Sequence, residues 1–535
     1  MVEHKVINNV IYTPDIKTDP DPKGIGHYYY SQMIKNKDKI AQVDGYTKEE
    51  DTFGSLLQRS VRTALAMIDF GIKPGDHISL CTYNHLNSIV PFIASYFTGS
   101  IMGAIEPSMS VKDATYLLRQ TLPKIIFAAF SAVPLVEKVV ESIGTKTIIV
   151  VFEETSPHTP FSKFILPQKN EHEFKPYEPE NLNKLALIVF SSGTSGMPKG
   201  ICHDHFSMMS INSSGFSAHS AFTFYTIANP YWSLCANFFH ASVEIGCRRV
   251  VYPSFTTDDP WTLYYQPVDV AFLNPLQALH LVRTKIPDKV ELRNVRVLVL
   301  SGNPITLKQL VEIQSVLSHT MVCYTYSQSE LFKNCFEFLH YKTELWENNK
   351  HSVGTVKEGY FYKIVDVDTE EVLGPNQVGE LRIKSPCQFI GYYNKDSSER
   401  FDSDGWLRTG DSFYYNEDLC FYFVERIGES FKYLNIHISP VEIETVILDL
   451  EPIDTAVVIG LPHETECNHP MAVIKLKPNS KKITAEEIVK HVENNLENKN
   501  WLRGGVKFVD TIPMTVTGKV NRTMLKKLVL QDQIH

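Results

Sequence analysis

Short apolar runs at residues 78–81, 124–128, 147–151, 185–190 and 295–300 are spaced along the first three hundred residues, with stretches of helical periodicity between them. Runs of this length are too short for helices and too apolar for surface loops, so they predict buried strands. Strands that alternate with helices form parallel α/β layers, because parallel neighbours need crossover connections and the crossing helices cover the sheet faces. Between Phe53 and Phe70, Leu57, Val61, Leu65 and Ile68 recur at helical spacing. They predict a core-facing helix that Gly71 terminates, before a turn at Pro74-Gly75-Asp76. The most apolar stretch, 89–105, is broken by Pro91, Ser95, Thr98, Gly99, Ser100 and Gly103. It is short for a membrane span and predicts a buried helix running into a strand.

In open α/β sheets, ligand loops leave the carboxyl ends of strands. Two segments have that placement, Ser301-Gly302-Asn303 after 295–300 and Ser191-Ser192-Gly193-Thr194-Ser195-Gly196-Met197-Pro198-Lys199-Gly200 after 185–190. The second combines flexible backbone, neutral hydroxyl donors and one ammonium, the composition of a loop that wraps polyphosphate. It is not a Walker loop, because Pro198 precedes Lys199 and Gly200 follows it, where that motif needs Gly-Lys-Ser/Thr.

At 535 residues the chain exceeds one ordinary core. Its 43% hydrophobic and 21% charged residues are those of a globular protein rather than a disordered or fibrous chain. A net charge of −9 without a basic block argues against nucleic acid and for small anionic ligands held by local groups. Nine cysteines without a CxxC pair predict reduced thiols rather than a disulfide framework or structural zinc. The opening residues lack a secretory signal and the final Gln533-Ile534-His535 is no Ser-Lys-Leu address, so a cytoplasmic location is expected.

Past Gly379 the strands shorten, with candidates at 380–383 and 419–424, ahead of a polar junction at Glu425-Arg426-Ile427-Gly428-Glu429-Ser430. The junction predicts a boundary between an N-terminal region, 1–426, and a small α+β unit, 427–535. Within that unit, Ser439-Pro440-Val441-Glu442 and Thr484 with Glu487 read as helix starts, flanking strands at 455–459 and 471–476. Tyr324-Thr325-Tyr326-Ser327-Gln328-Ser329-Glu330 offers an aromatic face, hydroxyls and a carboxylate, suited to a purine and a magnesium ion. Asp411 follows a glycine turn, where a carboxylate can accept both ribose hydroxyls. Thr517-Gly518-Lys519 places a lysine on a turn near the end of the chain.

Taken in order, these segments resemble the adenylate-forming superfamily of acyl-CoA synthetases, 4-coumarate-CoA-ligase-like enzymes and insect luciferases. The resemblance spans nearly the whole chain. It rests on the 192–200 loop, Tyr326 with Glu330, Gly379-Glu380-Leu381, Gly405-Trp406 with Thr409-Gly410-Asp411, Glu425-Arg426, and Thr517-Gly518-Lys519. The stretches 365–379 and Gly391-Tyr392-Tyr393-Asn394 are most similar to the insect luciferase-like branch.

The resemblance implies a large N-terminal adenylation domain of layered α/β subdomains with a β-rich section, and a mobile C-terminal domain. It also implies two steps. A carboxylate attacks the α-phosphate of ATP to give an acyl-adenylate and pyrophosphate, and coenzyme A then displaces AMP. By the same resemblance, Ser191, Ser192, Gly193, Thr194, Ser195, Gly196 and Lys199 hold the β and γ phosphates, and Glu330 positions Mg2+ with Ser329 beside the α-phosphate. Thr325, Tyr326 and Ser327 line the adenine site, the Ser301-Gly302-Asn303 backbone follows the base edge, and Asp411 with Arg426 takes the ribose. Lys519 bridges the carboxylate and α-phosphate, Gly428 is the pivot of domain rotation, and Lys432 belongs to the face that serves the second step.

Three positions depart from the family pattern. Ser233, in Pro230-Tyr231-Trp232-Ser233, stands where the family has histidine near the reacting carboxylate. Ser327 replaces a glycine beside the adenine and acyl sites, and Asn435 replaces a glycine along the pantetheine path. The implied activity is ligation of a fatty or aromatic acid to coenzyme A. A luciferase-type monooxygenase, which oxidises an adenylate with O2 and needs no pantetheine passage, is the alternative, and a non-catalytic relative is the third. The retention of Lys519 argues against the third. An acyl-CoA product would partition to lipid, which is compatible with loose membrane association.

Overall fold

The computed structural model describes residues 2–15, 19–154, 157–191, 198–210, 222–338, 343–434, 436–515, 518–532 and 534. These form four sheets flanked by helices. Three sheets belong to the chain up to Arg426, and the fourth lies wholly beyond the 3-10 turn Ile427–Glu429.

The first sheet has a parallel centre built from His77–Cys81, Ile125–Ala128, Ile148–Val151 and Leu185–Phe190, predicted by the apolar runs, and Ile101–Gly103, the strand expected at the end of the 89–105 stretch. One feature of it differs from the expectation of a purely parallel layer. Gly200–Asp204 returns antiparallel to Leu185–Phe190, with Phe190 opposite Gly200, so the Gly/Ser loop closes a hairpin instead of leading into a helix. Gly391–Tyr392 adds to the same edge, which brings a segment two hundred residues downstream beside the loop.

The second sheet runs Met321–Tyr324, Val295–Leu300, Val268–Leu273, Thr223–Thr226, Arg248–Val251 and Ile40–Asp44 in parallel, with Glu50–Thr52 antiparallel at its edge. The segments 301–303 and 325–330, together with Asn274, all follow carboxyl ends of these strands. They therefore share one rim.

The helix predicted between Phe53 and Phe70 runs Phe53–Asp69, with Gly71 at φ +87° just past its end. Its buried face is displaced from the expected stripe. Of the expected stripe Val61 is buried, but Leu57 and Leu65 are only partly so and Ile68 is 48% exposed, while Leu56, Ser60, Ala64 and Met67 are buried instead. The helix packs against the buried helix Val90–Thr98, and the small side chains Ser60 and Ala64 are fully buried.

The third sheet is antiparallel, built mainly from Phe361–Val365, Gly379–Lys384, Leu407–Tyr415 and Cys420–Arg426. It begins before Gly379, where the sequence texture changes, and it recruits the N-terminal strands Lys5–Ile7 and Val10–Tyr12. The fourth sheet, centred on the hairpin Ile453–His463 and Cys467–Leu476, carries the helices Pro440–Ile447, Ala485–Asn495 and Arg522–Leu530. Ser439 caps the first helix, and Thr484 with Glu487 forms a reciprocal capping box on the second. All nine cysteines are free, and eight are buried. Among the described residues no helix is long and apolar enough to cross a membrane.

Candidate active site

Two cavities meet where the rim of the parallel sheet faces the antiparallel sheet and the C-terminal unit. The first, about 190 Å³, is bounded by Ser301, Gly302, Asn303, Thr325, Tyr326 and Ser327 on one side and by Asp411 and Arg426 on the other. Gly302 sits at φ +98°, a backbone conformation that glycine adopts without strain, and so turns the chain back along the cavity wall. Thr325 is fixed below by its amide on the Leu300 carbonyl and its hydroxyl on Asn334.

Asp411 is the electrostatic centre of this cavity. It lies opposite Arg426 in the register of Leu407–Tyr415 and Cys420–Arg426, and Arg426 Nε donates to its Oδ1 at 2.9 Å. The Tyr326 hydroxyl and Gln328 Nε2 both donate to Oδ2 at 2.6 Å. Asp411 is 1% exposed, so its negative charge is held in place by these donors rather than by water. Burial, and then Asp411, raise the Tyr326 phenol well above its ordinary range. The Tyr326 ring is wedged edge-on against Phe413, with centroids 4.8 Å apart.

The second cavity, about 460 Å³, collects Ser191, Lys199, Ser233, Ser329, Glu330, Tyr392 and Arg400. The base of the Gly/Ser hairpin is closed reciprocally. The Ser191 amide donates to the Lys199 carbonyl and the Lys199 amide donates to Ser191 Oγ, both at 2.9 Å. The Tyr231 hydroxyl fixes the Ser191 carbonyl from outside at 3.0 Å. Lys199 Nζ stands 4.7 Å over the Tyr392 ring, and the Tyr392 hydroxyl donates to Glu330 Oε1 at 2.9 Å. A second cation, Arg400, reaches within 3.8 Å of the same Glu330 oxygen, and its buried Nε has no hydrogen-bond partner. Ser192, Gly193, Thr194, Ser195 and Gly196 lie outside the described residues, as do Asn435 and Thr517.

Ser233 is the first residue of the helix Ser233–Ile245, and its hydroxyl lies 3.3 Å from that of Ser329. Trp232, at the N-cap, supplies no side-chain acceptor, so the positive end of this helix opens beside the Ser233–Ser329 pair.

Lys519 borders both cavities, as do Ser301, Gly302, Asn303, Ser327 and Arg426. It rides a tight turn closed by the Met514–Val520 bridge, with Gly518 at φ +72° and the Gly518 carbonyl accepting from Asn303 Nδ2 at 3.1 Å. Desolvation, and then the neighbouring Arg426 charge, lower its ammonium below the ordinary lysine range, against the pull of Asp411, Glu330 and Glu429. Lys432 is not brought into the site. It is exposed on the strand Phe431–Tyr433 and borders neither cavity. Gly428 borders the second cavity, but a Cβ there would meet nothing within 4 Å, so this arrangement does not by itself require glycine.

Sequence reasoning missed Tyr231, Gln328, Tyr392 and Arg400. Tyr392 and Gln328 lie inside quoted motifs and could have been found there. Arg400 carries no local signal, because only the return of 391–392 to the first sheet brings it to Glu330.

The family model described as AMP-binding enzyme matches residues 30–393, and that for the AMP-binding enzyme C-terminal domain matches 442–519. The chain is 27% identical over 510 residues to a luciferin 4-monooxygenase of Photuris pensylvanica, covering 91% of this chain and 92% of that one. It is 26% identical over 532 residues to a probable 4-coumarate-CoA ligase of Dictyostelium discoideum, covering 94% and 95%. The solved structure of a luciferase-like enzyme from the nonluminescent mealworm Zophobas morio superposes with a TM-score of 0.70 at 30% identity, covering 77% of this chain and 98% of that one. The two cavities joined at Lys519, with family matches on both sides of the junction at 427–429, have one reading: the chain belongs to the AMP-binding enzyme family and is an adenylate-forming ligase of the superfamily that includes 4-coumarate-CoA ligases and luciferases.

Proposed function

We propose that this enzyme uses ATP to convert a carboxylic acid into an acyl-adenylate, then transfers the acyl group to coenzyme A. The observation that carries this reading is the position of Lys519 on the wall common to both cavities. An ammonium there touches an α-phosphate entering from the first cavity and a carboxylate entering from the second. Two anions must approach for the carboxylate oxygen to bond to phosphorus while the bond to pyrophosphate breaks, and a cation at the meeting point offsets their repulsion.

The other residues divide the remaining work. Tyr326 presents its ring edge and backbone to adenine beside 301–303, and Asp411 with Arg426 receives the ribose. Lys199 and Arg400 stand where the leaving pyrophosphate gains charge. The Ser233 and Ser329 hydroxyls and the uncapped helix end orient the carboxylate. Glu330 fits a magnesium ion, since Tyr392 and Arg400 engage only Oε1 and leave Oε2 without a partner among the described residues. One carboxylate shared with phosphates and water is the usual magnesium environment, and the ion when bound neutralises phosphate charge. Val189, Ile201, Trp232, Phe272 and Phe332 line the second cavity, which favours an acid with an aromatic or aliphatic body over a short polar one.

We further propose 1–426 as the fixed unit and 427–535 as the rotating one, with Gly428 as pivot and Lys432 presented to the second half-reaction. A luciferase-type oxidation of the adenylate by O2 is the second reading, motivated by the similarity to luciferin 4-monooxygenases over nine-tenths of the chain. Pyrophosphate exchange across a panel of acids tests the first step. An acid-dependent exchange lost in Lys519→Ala is expected, and absence of exchange with every acid in a chain that binds ATP overturns the reading. Thioester formation with coenzyme A then separates the two readings from each other, as light emission with a luciferin does in the other direction.

A further inference from the structure

The long hairpin of the C-terminal unit ends in His463-Glu464-Thr465-Glu466-Cys467-Asn468-His469, far in sequence from every residue assigned to adenylation. Its register sets Cys467 opposite His463 and His469 opposite Leu461, which makes the two histidines diagonal neighbours on one face. Their imidazole rings stack with centroids 3.9 Å apart. Glu466, in the turn, joins them. Its Oε2 is 2.6 Å from His469 Nε2 and 4.0 Å from His463 Nδ1. One ligand atom from each of the three lies within 4.8 Å of the other two.

We propose that His463, Glu466 and His469 form a binding site for a divalent ion of the zinc class. A tetrahedral ion with metal–ligand distances of about 2.0–2.1 Å separates its ligand atoms by roughly 3.3 Å. The two measured separations, 2.6 and 4.0 Å, bracket that value, so small χ rotations of three partly exposed side chains complete the site. The adjustment displaces two contacts, the His469 Nε2–Glu466 Oε2 hydrogen bond at 2.6 Å and the Glu466 amide on His463 Nδ1 at 3.3 Å. Two imidazoles and one carboxylate select zinc, copper or nickel over magnesium and calcium, which prefer all-oxygen shells. The magnesium of the adenylation chemistry therefore does not compete for it. Three protein ligands leave a fourth position for water.

The site is coupled to the strand that carries Lys432. The Glu466 carbonyl accepts from the Leu434 amide at 3.1 Å, Asn468 Nδ2 donates to the Lys432 carbonyl at 3.1 Å, and Cys467 pairs with Tyr433. An ion that fixes the hairpin tip also fixes Phe431–Tyr433.

The test uses the full-length chain, stripped with chelator and dialysed, then titrated calorimetrically with Zn2+ in millimolar Mg2+. One equivalent is expected to bind in the wild type at least tenfold more tightly than any zinc bound by His463→Ala/His469→Ala, and Glu466→Gln should bind at least tenfold more weakly than wild type. Melting curves recorded without metal establish that the variants are folded. Equal zinc stoichiometry and affinity in wild type and the folded double variant would overturn the site. Amide exchange at 432–434 should slow on zinc addition in the wild type only, and unchanged exchange there would overturn the coupling to that strand.

Discussion

The hydroxyl oxygens of Ser233 and Ser329 stand 3.3 Å apart, one opening a helix and the other a 3-10 turn. By the resemblance, Ser233 stands where the family has a histidine near the reacting carboxylate. This replaces a group able to carry charge with two neutral hydroxyls next to an uncapped helix end. In the proposed reaction Lys519 then supplies the positive charge common to both cavities, and the serines orient rather than neutralise.

Ser233→Ala should accordingly have a small effect. A neutral hydrogen bond contributes about 0.5–1.5 kcal/mol, so kcat/KM for the acid is expected to fall roughly two- to tenfold while KM for ATP stays constant. Steady-state pyrophosphate exchange at varied acid and ATP checks this. A hundredfold loss would mean that Ser233 stabilises charge in the transition state.

Lys519→Ala should remove well over tenfold of adenylation, because the lost cation faces charge that develops as pyrophosphate leaves. The depressed pKa of Lys519 adds a signature in pH. The ammonium is the working form, so exchange should decline on the alkaline side at a lower pH than an ordinary lysine would give. Thiol transfer to a preformed acyl-adenylate should show neither the loss nor that alkaline limb, and measuring both half-reactions across pH separates the two.

The buried runs that became strands were legible because each is local, as were the caps at Ser439 and Thr484. The width of the buried face of Phe53–Asp69 was not, since the helix packs against more than one neighbour and small residues such as Ser60, Thr63 and Ala64 are buried there along with Leu56 and Val61. Nor did local pattern predict the pairing of Val10–Tyr12 with Phe361–Val365, or the approach of Arg400 to Glu330, because in each case the partners come from distant parts of the chain. In the site, motif order pointed to Lys519, Asp411 and Glu330, and the same motifs contain Gln328 and Tyr392, which bond Asp411 and Glu330, whereas the hold of Tyr231 on Ser191 depends on three-dimensional closure.

One such holding network titrates near neutrality. Glu106, 4% exposed, accepts from Asn229 Nδ2, Asn229 Oδ1 accepts from the Tyr231 amide at 3.1 Å, and the Tyr231 hydroxyl secures the Ser191 carbonyl. Burial raises the Glu106 carboxyl from 4.5 to about 7, with the Asn229 hydrogen bond opposing it. A carboxyl raised on folding binds its proton more tightly in the native chain. Its contribution is therefore complete below about pH 4.5 and is lost as pH rises through about 7. At about 1.4 kcal/mol per unit, the effect is on the order of 3 kcal/mol. Glu106→Gln should flatten this fall, so that its Tm exceeds that of wild type above neutral pH and approaches it in acid. A parallel pH dependence of Tm in the two proteins would exclude Glu106 as the source.

Besides the Asn303–Gly518 bond, two further polar contacts join the C-terminal unit to the rest of the chain. Arg283, on the helix Pro275–Arg283, donates to Asp454 at 3.0 Å while also pairing with Glu312, and Lys308 Nζ donates to the Asp449 carbonyl at 2.7 Å. Partly exposed pairs of this kind contribute about 0.2–1 kcal/mol each, enough to bias two domain orientations without locking either. Asp454→Ala leaves Arg283 with Glu312 and removes the contact across the units together with the Thr455 hydroxyl and Lys475 contacts within the C-terminal unit, so it should shift the proposed balance away from the arrangement that seats Lys519. The expected result is a two- to fivefold slower adenylation with thiol transfer unchanged or faster, and a difference from wild type that shrinks as added salt screens the pair. A loss of both half-reactions in equal proportion would instead place Asp454 in the folding of the C-terminal sheet, where it begins the strand beside Ile453, and would remove it from the control of domain orientation.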